Sequence, residues 1–225
     1  LNFINEVFIK FNIMIKAIIF DMDGVIVNSI PIHFQIWKEV GEHFGFAIDS
    51  NLFDEVNGMD TRAIAKYFVE KFSLNINPEK IWVEKRKIAG DRLEGGVELF
   101  PNVEETLTHL KKLDYKIGLA TSTPRNHQKI TLGKYFTLFD KIVTVDDVLN
   151  SKPAPDIFMK CAEELRVPYE NCVVVEDAIN GVKAAKAGGM IAVAITNTTD
   201  ANKFDLADAV ISNIKVLNQK FLDKL

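Results

Sequence analysis

Two aspartates two residues apart, in the run Phe20-Asp21-Met22-Asp23-Gly24-Val25, have the clearest capacity for chemistry in this sequence. They follow a short apolar run, 17–20, of the kind that makes a buried parallel strand. In open α/β sheets ligands bind beyond the carboxyl ends of the strands, so both carboxylates would reach the site edge. Two such charges repel, and burying them is costly unless a cation compensates. A hard divalent ion such as Mg2+ suits oxygen donors of this kind. Taken alone, the segment is also a plain Asp- and Gly-rich turn.

Three later segments sit at the ends of other apolar runs. Ala120-Thr121-Ser122-Thr123 offers hydroxyls that could bind phosphoryl oxygens, or could simply form a polar loop or helix cap. Lys152, in Ser151-Lys152-Pro153-Ala154-Pro155-Asp156, could counter phosphate charge, or be a solvated surface lysine. Glu176-Asp177 supplies a second carboxylate pair, and Asp177 could also cap the following helix.

The elements that must position these residues are legible as patterns. Continuous apolar runs at 17–20, 117–120, 141–145, 172–175 and 191–194, and a weaker one at 209–211, predict strands covered on both faces. Helical patterns at 103–113, 126–132, 156–165 and 179–187 lie between them, the last closed by Gly188 and Gly189. That alternation predicts an α/β fold with a doubly wound parallel sheet. Residues 31–94 break it with amphipathic helical patterns alone, at 31–44, 62–71 and 78–93. They read as an all-helical cap inserted after the first strand, with hinges at 28–31 and 95–101. The expected division is an extension at 1–13, a core at 14–29 and 97–225, and a cap at 30–96.

At 225 residues the chain can bury a full core, and 48% hydrophobic with 26% charged residues is an ordinary soluble composition. A net charge of -4 argues against a nucleic-acid partner. Cys161 and Cys172 lack metal-ligand spacing and read as buried thiols, in keeping with a cytoplasmic location. The first 14 residues are apolar but interrupted by Asn2, Asn5, Glu6, Lys10 and Asn12, too polar and short for a membrane span. Ile4, Val7, Phe8 and Phe11 recur at helical spacing, so a short amphipathic helix is the alternative to a bare extension. No membrane partner is expected, and the chain should be a monomer or weak dimer.

The order carboxylate, hydroxyl, lysine, carboxylate at successive strand ends resembles the haloacid dehalogenase superfamily from about Ile15 to Ile211. The segments IHFQIWKEV, SKPAPDIF and VVVEDAINGV are similar to the branch of β-phosphoglucomutase and the small sugar-phosphate phosphatases, which has a Rossmann-like core and a helical cap. The resemblance implies that Asp21 is a nucleophile phosphorylated in turnover and that Asp23 is the general acid and base. It implies Mg2+ held by the Asp21 carboxylate, the Asp23 backbone carbonyl and Asp177, with Glu176 near or indirect. Thr121, Ser122 and Lys152 would hold the phosphoryl group.

In the cap, His33 and Trp37 share a helix face. Arg62 could meet a non-transferring anion, and Lys87 is chosen from the cluster Lys85, Arg86, Lys87; both could equally be solvated charges. Asn28 stands where many relatives have Asp, which should affect the hinge and not the chemistry. The implied function is Mg2+-dependent hydrolysis of a small phosphorylated metabolite, with a sugar phosphomutase as the alternative and pyrophosphate hydrolysis a lesser one. A phosphoaspartate signalling receiver would have no use for Asp23, and a non-catalytic sugar-phosphate binder no use for the full charged set.

Overall fold

The structure, a computed structural model, describes residues 14–93 and 96–225. The expectations for 1–13 lie outside the described residues. Six parallel strands form one sheet in the order β3-β2-β1-β4-β5-β6: β1 Ala17–Phe20, β2 Lys116–Thr121, β3 Lys141–Thr144, β4 Cys172–Glu176, β5 Ile191–Ile195 and β6 Ala209–Ile211. Alternate residues of β1 enter different cores. Ile18 and Phe20 pack with Val103, Leu107 and Leu110 of α5, Val103–Lys112. Ala17 and Ile19 pack with Ile157, Phe158 and Cys161 of α7, Asp156–Leu165. With apolar partners on both faces, the strand must be apolar at every position, which is why it reads as an unbroken run. Cys161 and Cys172 are buried free thiols.

β1 lies between β2 and β4, so the chain leaves it at the point where strand order reverses. Phe20 pairs with Leu119 on one side and Val175 on the other. That register brings Asp21, Thr121 and Glu176 to one edge of the sheet, and the Asp21 N–H donates to Val175 O at 3.0 Å.

Between β1 and α5 come four helices: α1 Ile30–Phe44, α2 Ser50–Val56, α3 Thr61–Lys71 and α4 Pro78–Leu93. The sequence patterns missed α2, which is only seven residues long; Asp49 caps it by accepting from Leu52 N at 2.8 Å. These helices enclose an apolar cluster of their own, with Trp37, Val40, Phe53, Val56, Phe68 and Ile81 at its centre. The two passages between this insertion and the sheet run side by side: Asn28 N donates to Glu98 O at 3.0 Å and Phe100 N to Ile26 O at 2.9 Å. The remaining α-helices among the described residues are α6 Arg125–Leu132, α8 Ile179–Ala187 and α9 Gln219–Leu222. No helix among the described residues is long and apolar enough to cross a membrane.

Candidate active site

Asp21 is buried at the tip of β1, and its carboxylate Oδ1 lies 2.5 Å from Lys152 Nζ. Lys152, 1% exposed, also donates to Glu176 Oε1 at 2.6 Å. The surface reading of this lysine is therefore overturned. Its ammonium also stands 4.6 Å from the Phe158 ring centroid. Burial by itself would lower the Lys152 ammonium; Asp21 and Glu176 override it and raise it above the ordinary range. Burial pushes the Asp21 carboxyl up; Lys152 pulls it down, and Glu176 and Asp23 add to the rise.

Glu176 sits behind the site: its second oxygen accepts from Ala178 N at 2.8 Å. Asp177, 2% exposed, accepts from the Thr198 hydroxyl, while burial, Glu176 and Asp21 hold it well above the usual carboxylate range. It does not cap α8, whose N-cap is Ala178 with no side-chain bond. Two glycines make room for this acidic pair. A Cβ on Gly24 would fall onto the Asp177 carboxylate, and Gly24 has φ +84; a Cβ on Gly181 would fall onto the Glu176 carboxylate.

Asp23 has different surroundings. Its carboxylate accepts from Ser29 Oγ at 2.5 Å, Thr123 Oγ1 at 2.7 Å and Thr121 Oγ1 at 3.4 Å, and His33 Nε2 lies 3.4 Å away. Burial would raise its pKa, but His33, Ser29 and Thr123 together hold it well below the usual range. Burial, reinforced by Lys85, lowers the His33 imidazole despite Asp23. Ser29 and Thr123 carried no signal of this role beyond being short hydroxyls near a motif.

The helical insertion closes over these groups. Asp21, Asp23, Asp177, Ser122, Thr123, His33, Trp37 and Lys85 line a cavity of about 60 Å³. Small-molecule sites begin near ~300 Å³, so this one has room for a phosphoryl group and not for a whole sugar phosphate. Lys87 is exposed and does not line the cavity, whereas Lys85 does, its ammonium 5.8 Å from the Trp37 ring centroid. Lys85 is four residues from both Ile81 and Ala89, which are buried, so all three share the inward face of α4. Arg62 is also outside the cavity. Its guanidinium lies 4.3 Å from the Trp82 ring centroid, and it lines a neighbouring groove of about 420 Å³. Ser122 is committed to the insertion, donating to Gly58 O at 2.8 Å.

Asp21, Glu176 and Asp177 are buried together, Lys152 is the lysine paired with the first two among the described residues, and the three carboxylates offer oxygen ligands alone. A hard divalent cation fits that set, because it supplies the missing positive charge. Among the described residues no three His, Cys, Asp or Glu side chains form a ready-made metal cluster. A ligand set of two side-chain carboxylates and one backbone carbonyl, as expected from the resemblance, would not form one.

A family model described as haloacid dehalogenase-like hydrolase matches residues 18–195. The fructose-1-phosphate phosphatase YqaB of Escherichia coli (strain K12) is 33% identical over 177 residues, covering 79% of this chain and 94% of the relative. The beta-phosphoglucomutase of Bacillus subtilis (strain 168) is 32% identical over 189 residues, covering 80% and 83%. A crystal structure of beta-phosphoglucomutase from Clostridium difficile shares the fold with a TM-score of 0.84 at 24% identity, covering 94% of this chain and 96% of that one.

Proposed function

Because this chain belongs to the haloacid dehalogenase-like hydrolase family, we propose that it is a Mg2+-dependent phosphatase acting on a small sugar phosphate through a phosphoaspartate at Asp21. The observation that carries the reading is that Asp21 and Asp23, from one strand end, meet in the same small cavity in opposite electrostatic settings.

An Asp21 carboxylate oxygen forms the new bond to phosphorus as the sugar oxygen leaves, taking a proton from Asp23. Asp23 then removes a proton from water as that water attacks phosphorus, freeing phosphate and regenerating Asp21. The bonds from Ser29 and Thr123 favour ionised Asp23, which suits the second step. In the first step Asp23 must exchange them for the leaving oxygen. Lys152 orients Asp21 and offsets negative charge on the phosphoryl oxygens, with Thr121 beside it. The Asp21 and Asp177 carboxylates and the Asp23 backbone carbonyl would hold Mg2+, which would supply positive charge beside the phosphoryl group. Glu176 acts indirectly, by fixing Lys152 and the turn into α8.

The four-helix insertion is the cap, swinging about 28–31 and the described residues 96–101 of the second passage; at about 60 Å³ the cavity must open to admit substrate. Lys85, His33 and Trp37 then meet the sugar phosphate, and Arg62 the outer groove. A phosphomutase is the second reading, favoured by the Bacillus subtilis relative and by the small size of the cavity around Asp21. A panel of phosphorylated metabolites with Mg2+, assayed for both free phosphate and isomerised product, decides. Phosphate release is expected; isomerised product without it would establish the mutase, and neither would sink both readings.

A further inference from the structure

The bonds across the closed face converge on two loops of the sheet. Asn180, in the first turn of α8 and three residues beyond Asp177, is 8% exposed. Its Nδ2 donates to Glu55 O at 3.0 Å and to Asn57 O at 2.9 Å. A primary amide has two N–H donors, and both are directed across the interface. The acceptors lie at the end of α2, where the last carbonyls of a helix have no partner within it. Ser122 Oγ serves the next carbonyl, Gly58 O, at 2.8 Å. Gly58 has φ +84, and a Cβ there would stand 3.0 Å from Ala178 Cβ, so the insertion's backbone lies directly on the turn into α8. The ion pair Lys203 to Asp54, at 2.7 Å, is partly exposed at the rim and adds little.

We infer that Asn180 is a positioning residue: a latch whose amide holds the helical insertion closed over Asp21, with Ser122 as its second catch. Asn180 lies three residues beyond Asp177 and Ser122 directly follows Thr121, so closure is registered against the groups that do the chemistry. In the open form the carbonyls at the end of α2 exchange these donors for water, at small net cost, and the latch can release. Removing two neutral hydrogen bonds should shift the equilibrium towards the open form by roughly tenfold.

Trp37 reports the state directly, without substrate, so failure of the latch is distinguishable from failure of the phosphatase reading. Trp37 is 2% exposed and lines the cavity; Trp82 is the other tryptophan and is replaced in a Trp82→Phe background. In that background, acrylamide quenching is compared for Asn180→Ala, Asn180→Asp and Ser122→Ala. Asn180→Asp keeps the shape, loses both donors, and places an acid where the first turn of a helix favours one. At least a twofold rise in the quenching constant is expected for both Asn180 variants, with a smaller rise for Ser122→Ala, and with no fall in melting temperature for Asn180→Asp. Ser122→Ala leaves α8 untouched, so it keeps the test alive if an Asn180 variant fails to fold. A quenching constant unchanged in every variant that folds would overturn the latch, even if melting temperature fell, because Asn180 would then be only a fold residue.

Discussion

Lys152 Nζ stands 2.5 Å from Asp21 Oδ1, although 131 residues separate the two along the chain. With Glu176 Oε1 at 2.6 Å on its other side, this lysine is the charge that lets two buried carboxylates coexist. Lys152→Met keeps the stem and leaves both carboxylates unpaired. At neutral pH it should cost about 3 kcal/mol of stability and abolish turnover. In the variant the Asp21 carboxyl, already raised by burial, loses the ammonium that pulls it down and rises further above its unfolded value, so the penalty is full above the folded-state value and shrinks as pH falls and the carboxyl protonates. Urea unfolding at neutral and mildly acidic pH checks this; an equal penalty at both would contradict it.

Lys85 should set substrate affinity, and with a definite pH dependence. Burial, reinforced by Arg86 and opposed by Asp23, brings its ammonium down to about 8. The charged form exists below that pH, so affinity for an anionic phosphoester is strong there and fades as pH rises through it. Lys85→Met should raise KM by roughly tenfold below that pH and flatten the alkaline limb of kcat/KM. Lys87→Met should do neither. Equal effects from the two lysines would remove Lys85 from the site.

Gly24→Ala tests the packing of the acidic pair. A Cβ there meets the Asp177 carboxylate, and φ +84 adds backbone strain. A loss of about 2 kcal/mol in denaturant unfolding is expected, together with a higher Mg2+ requirement for turnover. A variant with unchanged Mg2+ dependence would separate Asp177 from the metal.

Divalent cation should stabilise the protein itself. Binding only the folded state adds about 2.7 kcal/mol at a hundred times the dissociation constant, so the melting temperature should climb with Mg2+ and fall back with chelator. Asp177→Asn should abolish the climb, and an undiminished climb would place the ion elsewhere.

The strands and the carboxylate, hydroxyl and lysine motifs were legible because burial on both faces leaves a continuous apolar run, and strand ends in one register deliver residues to one edge. The α1 and α4 boundaries followed from amphipathic spacing. Less local features were not legible. The seven residues of α2 give too few turns for a periodic signal, and the burial of Lys152 depends on carboxylates far along the chain. Lys85 was accessible in principle, since its four-residue spacing to Ile81 and Ala89 marks the inward face, while Lys87 lies two residues around the helix. Ser29, Thr123 and Asn180 act through one or two hydrogen bonds set by tertiary contact, and no periodicity announces such residues.

Catalysis as proposed depends on transfer of a phosphoryl group to Asp21. Rapid acid quench during turnover of an accepted sugar phosphate with Mg2+, followed by peptide mass analysis, tests it most directly. The peptide containing Asp21 should gain the mass of one phosphoryl group, and Asp21→Asn, folded, should gain none and release no phosphate. Phosphate release by Asp21→Asn at a rate near that of the unaltered protein, or the phosphoryl group on another residue, would contradict it.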